Sequence, residues 1–222
     1  MTRKPLLLVG ASGHAHALLA LLQRHGGYKP LGLIDSFQPA GRQVYGLTIL
    51  GSEADVPELC VKHGSHHLLV AIGDNYQRQA MTERLRKRLA DVRFPSLVDP
   101  TAVMASNAQL GAGVVVMPQA HVGAGCLLAE GSLLNTGASL DHDSSLGAFA
   151  SMAPGVVTGG DVQINERSAI GLGALLTHRI RIGSDTVVGA GSLVITDLPS
   201  RIVAYGSPAS VIRSRQPDEP YL

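Results

Sequence analysis

The sequence predicts two parts in series, a small α/β domain of the doubly wound kind followed by a parallel β-helix. Three observations predict this. A six-residue register runs unbroken through the C-terminal half of the chain. The N-terminal part opens strand, glycine turn, helix, strand, acid, which is the doubly wound arrangement in truncated form. At 222 residues and 45% hydrophobic content the chain can fill two cores, and only 4% of it is aromatic, as suits a narrow prism interior.

The register starts at Val98 and steps by six through Met104, Leu110, Val116 and Val122 to Val188 and Val194. Sixteen of its seventeen positions are aliphatic or Met, and only Thr158 departs. Four residues after each stands a smaller inward residue, among them Ala120, Cys126, Ala138, Ser144, Ala150 and Ala174. Position two of the hexad is often Gly or Asn (Gly111, Gly123, Asn135, Gly147, Gly159), types expected there to supply φ > 0 at a sharp corner. A period of 3.6 cannot hold such a register, so a long helix is excluded. Three hexads make one triangular coil, and coils stack at about 4.8 Å, the spacing of hydrogen-bonded strands.

In the N-terminal part, residues 5–9 read as a buried strand and Gly10-Ala11-Ser12-Gly13 as the turn after it. His14 to His25 is predicted helical, with Ala17, Leu18, Leu21 and Leu22 on one face. Residues 31–34 form a second strand ending at Asp35, and a hairpin-like stretch follows around Gly41 to Gly51. Glu53 to His63 is a short helix, and His67 to Ile72 a third strand ending in Gly73-Asp74-Asn75. Asn75 to Leu89 is a helix with polar residues on its outer face. Residues 1–95, 96–200 and 201–222 are therefore expected to be an α/β domain, a prism and a capping strap.

Net charge is +1, which implies neither a nucleic-acid nor an anionic-membrane partner. Nothing near the N-terminus resembles a signal-peptide cleavage site, and no apolar run approaches the ~20 residues that cross a bilayer, so the expectation is a soluble cytoplasmic protein. The two cysteines fall in separate segments, and Cys126 sits in an inward slot, as a buried reduced thiol would.

The turn Gly10 to His14 lacks the third glycine of the dinucleotide fingerprint, which argues against NAD(P) and for another nucleotide-linked ligand. Free backbone N–H groups at a helix N-terminus attract phosphate, and Asp35, about twenty residues on, suits a ribose or base. Ser12, Gly13, His14, Asp35, Ser36 and Gly73, at this turn and at the ends of the next two strands, are the expected contacts of that nucleotide-linked ligand. In the prism, Leu140-Asp141-His142-Asp143 places a histidine at an outward third position, where Asp143 or Asp141 can orient it as a general base. One coil on, at the same position, Gly160 offers an N–H with no side chain of its own to block a reacting group. Gly159 and Gly160 adjoin the Thr158 break, which marks a locally adjusted site.

Taken together, the opening LLLVGASGHA…LIDS, the segment AIGDNYQR, the hexapeptide prism and the ending VAYGSPASVIR resemble one family. It is that of the bacterial nucleotide-linked amino-sugar N-acetyltransferases and the related sialic-acid O-acetyltransferases. The resemblance implies a Rossmann-like N-terminal domain, a left-handed parallel β-helix, acetyl-CoA as co-substrate, and homotrimers with active sites between subunits. It makes His142 the base, Asp143 its acidic neighbour, and Gly160, Leu172 and Ala190 cofactor contacts along one groove. His14 and Asp35 match substrate contacts. Ser151 stands where some members carry a second histidine touching the cofactor, and Ser36 where some UDP-specific members have a second acid. The substrate it favours is a UDP-4-amino sugar, used in surface glycan or glycoprotein synthesis.

Three alternatives stand beside that reading. O-acetylation of a sugar or sialic acid needs the same chemistry with another nucleophile. A non-catalytic assembly β-helix leaves His142 and its acids unexplained. Zinc chemistry of the carbonic-anhydrase kind could use His142 and His178, which share a face. The histidine that family places five residues further is Gly183 here, and His121 faces elsewhere, so no metal is expected. In the strap, Gly206-Ser207-Pro208-Ala209 resembles the family's closing loop beside the CoA tail. Arg213 or Arg215 either meets phosphates there or only solubilises the cap.

Overall fold

The computed structural model describes residues 3–221, which divide into two compact units, one up to Leu97 and one from Val98 onward. In the first unit the elements are β1 (Lys4–Val9), α1 (Gly13–His25), β2 (Tyr28–Ile34), β3 (Gln43–Val44), β4 (Leu47–Gly51), α2 (Val56–His63), β5 (Leu68–Val70) and α3 (Asn75–Arg88). The sheet order is β3-β4-β2-β1-β5, with β1 parallel to both β2 and β5. Strand order therefore reverses at β1, and the crevice at the carboxyl ends of its neighbours is where doubly wound sheets bind ligands. Leu6, Leu7 and Leu8 are wholly buried, the near-continuous apolar run of a strand covered on both faces.

Local chemistry sets the element ends. Helix α1 starts one residue earlier than the apolar pattern suggests and stops at Gly26, whose φ of 71° lets its N–H return to the Leu22 carbonyl. Two left-handed residues, Tyr45 and Gly46, turn the β3–β4 hairpin. The stretch from Glu53 splits into a 3₁₀ turn, Glu53–Asp55, and α2, with Pro57 in the first turn of α2. Asp74 caps α3 by accepting from the Gln77 amide at 2.9 Å. The third strand is shorter than predicted, and His67 makes only a single bridge, to Arg93.

The second unit is a left-handed parallel β-helix of two-residue strands on three faces. Strands pair with those eighteen residues away, as His121–Val122 does with Ser139–Leu140. One face has six strands, from Val103–Met104 to Leu193–Val194; a second has five. The third ends with the hairpin Ile202–Gly206 and Ala209–Ser214, whose first strand runs parallel to Val187–Val188 as a last rung. The interior is the predicted register: Val116, Leu128, Leu140, Met152, Ile164, Ile182 and their small companions are buried. Both cysteines are free and buried. Among the described residues, no helix is long and apolar enough to cross a membrane.

One sequence expectation is corrected here. Positive φ falls at the fourth position of the hexad, in Gly113, Gln119, Gly125, Asp143 and their successors, and not at the second. The second-position glycines serve close approach instead. A Cβ on Gly123 would lie 2.6 Å from the His142 nitrogen, and one on Gly147 2.7 Å from Glu166 nitrogen in the next coil.

Candidate active site

The corner that carries His142 departs from the regular ladder. Elsewhere the second-position N–H donates to the next coil's backbone, as Gly123 does to the Leu140 carbonyl and Gly159 to the Leu176 carbonyl, both at 2.8 Å. At this corner the Asp141 N–H donates to the Thr158 hydroxyl at 3.0 Å. The strands retain only the Ser139–Val157 pairing. The one polar residue in the interior register thus replaces a rung and fixes the displaced corner. Asp143 takes a φ of 58°, and Gly125 beneath it leaves space for its carboxylate, 2.7 Å from where a Cβ would stand.

The His142 imidazole projects outward, with its side chain 55% exposed. Its Nδ1 lies 2.9 Å from Asp143 Oδ2 and donates to it, so in the neutral ring Nε2 is the unprotonated nitrogen. The hydrogen bond to Asp143 is the main cause that raises the His142 pKa above the ordinary value; the charge of Asp141 adds to it. Gly160, one coil on, receives the far edge of this ring: a Cβ there would stand 2.4 Å from both Cε1 and Nε2. A base with a carboxylate behind it and a glycine amide beside it is equipped to take a proton from a nucleophile that attacks a carbonyl.

The Gly160 amide, expected to be clear of any side chain of its own, meets a side chain from the next coil. It donates to Nδ1 of His178 at 2.9 Å. Sequence reading placed His178 on the same face without finding this contact. Among the described residues, no set of three or more His, Cys, Asp or Glu side chains is arranged to hold a metal ion.

The other residues assigned to the cofactor do not share that corner. Leu172 and Ala190 follow Ile170 and Val188, at the corner after the face that ends in the C-terminal hairpin, and both are exposed. Ser151 belongs to a strand of that same face and is buried, paired with Leu133 and Ala169. Within one chain, therefore, Gly160 lies on one surface and Leu172 and Ala190 on another. Twelve residues, two hexads, separate Gly160 from Leu172, and that offset moves a residue to another corner. In the strap, Arg215 is buried and donates to the Asp185 carbonyl, while Arg213 pairs with Glu219. Arg215 therefore ties the cap down.

In the α/β unit a cavity of about 550 Å³ opens at the carboxyl ends of β1, β2 and β5. Ser12, Asp35 and Ser36 of the expected site line it; Gly13, His14 and Gly73 do not. A Cβ on Gly10, whose φ is 110°, would press on the Ala71 carbonyl at 2.8 Å, so glycine is required where the chain leaves β1. Asp35 is already engaged, accepting from the Ala11 amide at 3.0 Å and the Phe37 amide at 2.8 Å. The Gly10 amide returns to the Ile34 carbonyl. The exposed Ser12 and Gly13 then begin the first turn of α1, the part of the motif still suited to an anion.

Several lining residues were not anticipated. Gln77, Met81 and Arg84 form one face of α3 and wall the cavity, so that polar face is not simply solvated. Glu53 joins them, paired with Arg84 at 3.0 Å. Phe37 stands at the lip with 98% of its surface exposed, an aromatic ring next to the acid that the sequence did single out. Arg78 is buried and donates to the Ile72 and Gly73 carbonyls and to Asn75, which fixes the loop after β5. Burial, then the Arg78 charge, lowers the His14 pKa to about 4, so this ring is neutral at neutral pH.

Residues 5–85 match a family described as the PglD N-terminal domain. Over 96% of this chain and 99% of the other, the structure is similar to a mutant of GDP-perosamine N-acetyl transferase from Caulobacter crescentus in complex with CoA and GDP-perosamine, with 31% identity and a TM-score of 0.89. The acetyltransferase domain of PglB from Neisseria gonorrhoeae, in complex with acetyl coenzyme A, is 32% identical with a TM-score of 0.86, over 95% of this chain and 100% of that one. Serine acetyltransferase 2 of Arabidopsis thaliana is 33% identical over 118 residues, 50% of this chain. The match spans only 35% of that relative's length, and 41% of the serine acetyltransferase of Escherichia coli.

Proposed function

The chain belongs to the hexapeptide-repeat family of nucleotide amino-sugar N-acetyltransferases, and from that membership we propose that it moves the acetyl group of acetyl-CoA onto the amino group of a nucleotide-activated amino sugar. The observation that carries this reading is the line from Asp143 through His142 to Gly160. The sugar amine attacks the thioester carbon, and His142 Nε2 takes the amine proton. Asp143 steadies the imidazolium that results. The Gly160 amide stabilises the oxyanion of the tetrahedral intermediate. Collapse breaks the C–S bond, and the imidazolium returns its proton to the departing thiolate, giving the amide and free CoA.

In this proposal Ser12, Gly13, His14, Asp35, Ser36 and Gly73 serve the nucleotide sugar, and Ser151, Leu172 and Ala190 the cofactor. The separation of Leu172 and Ala190 from Gly160 within one chain supports a site completed by a second copy, hence a homotrimer with active sites between subunits. Adjacent exposed apolar side chains on the six-stranded face support it too: Val157 and Leu175 stand at neighbouring outward positions, beyond the polar pair His121 and Ser139.

Release of CoA thiol over a panel of UDP-, GDP- and dTDP-linked 4-amino sugars, with free sialic acid alongside, tests the reading. Turnover with at least one nucleotide amino sugar is expected. Turnover with sialic acid alone would move the assignment to O-acetylation, and turnover with none would overturn it.

A further inference from the structure

Two imidazoles converge on Gly160 from different coils. His142 fills the place where a side chain on it would begin, and His178, thirty-six residues after His142 on the same corner, accepts its N–H at 2.9 Å. The glycine pair fits both rings. A Cβ on Gly160 would meet His142 Nε2 at 2.4 Å, and a Cβ on Gly159 would meet His178 Cγ at 2.8 Å. His178 is exposed and at a corner, so its ring has solvent to turn into.

An amide carries one hydrogen, and an oxyanion donor must point it at the reacting oxygen from about 2.7–3.1 Å. His178 Nδ1 occupies that place at 2.9 Å, so imidazole and thioester oxygen exclude one another. We propose that His178 is a displaceable stopper on the oxyanion donor, evicted by the acyl group of acetyl-CoA and left in place by CoA, which has no carbonyl at that point. The inference rests on the acetyltransferase reading, and on Gly160 as its oxyanion donor.

The stopper has a catalytic consequence. A neutral thioester carbonyl and a neutral imidazole are acceptors of similar strength, so the ground state gains little from the exchange. A hydrogen bond to an oxyanion is roughly twice as strong. The Gly160 amide is then used mainly in the transition state, where it accelerates the reaction, and not in binding the substrate.

Calorimetric titration of acetyl-CoA and of CoA, without acceptor, into wild type, His178→Ala and His178→Asn tests this. In His178→Ala the acetyl-CoA Kd should fall about three- to tenfold, the worth of one neutral hydrogen bond no longer contested. The CoA Kd should not change. His178→Asn keeps a side-chain acceptor and should stay near the wild-type ratio of the two affinities. A purely structural role would move both ligands together. Equal changes for acetyl-CoA and CoA, or none in His178→Ala at an unaltered melting temperature, would overturn the stopper. Wild-type protein that bound neither ligand would instead remove the acetyltransferase reading on which the stopper depends.

Discussion

The α/β cavity and the prism corner present polar groups in opposite ways. In the cavity the groups that would meet a ligand hold each other: Asp35 accepts from two amides of its own unit, and Glu53 is paired with Arg84. At the prism corner the Thr158 hydroxyl and the Asp141 carboxylate take the backbone amides that the coil ladder leaves, and the His142 and Asp143 side chains stand in solvent, bonded to each other. In the first region the groups open to a ligand are the same ones that hold local structure. In the second, side chains can change with little effect on the fold. A solenoid makes this possible because each coil's core is filled by inward residues alone.

The largest expected effect tests the prism half of that contrast. His142→Ala should lower kcat by about 10²- to 10⁴-fold while the melting temperature and acetyl-CoA affinity stay near wild type. A variant that keeps more than a tenth of kcat when chemistry limits the rate would end the role given to His142, and one that melts early would break the contrast. Gly160→Ala comes next. Its methyl would stand 2.4 Å from Nε2 and push the ring aside, and displacing a base by about an ångström can lower kcat by about 10²-fold. Circular dichroism should report an unchanged fold, and a kcat within threefold of wild type would mean that the ring does not work from this position.

The cavity half predicts mixed effects. Asp35→Ala should raise the acceptor KM by about tenfold, about 1.4 kcal/mol of a charge-assisted hydrogen bond, and leave the acetyl-CoA KM unchanged. It should also lower stability by about 1–3 kcal/mol, because Ala11 is buried and its amide loses its acceptor. Asp35→Asn, which keeps an oxygen for one amide, should recover part of the stability and less of the KM. Steady-state kinetics with each substrate varied, together with urea unfolding, separates the two. A raised acceptor KM with no loss of stability would show the cavity behaving like the corner.

The prism was legible because its packing is local: a residue six places on repeats the same environment, so period alone fixes what faces inward. The same arithmetic put His142 outward and flagged Thr158, whose hydroxyl indeed replaces a ladder bond. It also separates Leu172 from Gly160 by two hexads, which puts them at different corners of the prism. Period could not say which corner position takes φ > 0, since the second-position glycines answer to the neighbouring coil and not to their own torsions. In the α/β unit the ends of β1 and β2 were readable from the turn and from Asp35. The far wall was not, because Gln77, Met81 and Arg84 reach the cavity only through the packing of α3. His178 was visible as a position, but its bond to Gly160 depends on a rotamer, which no spacing encodes.

The smallest effect probes how the corner's two exposed groups act on each other. Asp143→Asn is suited to this, since asparagine tolerates the φ of 58° and can still accept from Nδ1. In wild type the Asp143 hydrogen bond and the Asp141 charge raise the His142 pKa above its ordinary value. A raised pKa keeps the ring protonated, and useless as a base, to a higher pH, so log kcat/KM should climb as pH rises through it. Any stability His142 contributes has the opposite pH course: it is present below the unfolded-state pKa and lost as pH rises through the folded one. Losing the Asp143 charge lowers the pKa only part of the way, because Asp141 and Asp161 remain. The acid limb should therefore move to lower pH. On the plateau the less basic ring should be about three- to tenfold slower, as Brønsted behaviour requires. A pH profile of kcat/KM for the two proteins reads both effects at once. A limb that stays in place or moves up would show that Asp143 does not govern the proton on His142, and the corner would then be a set of independent side chains on a shared support.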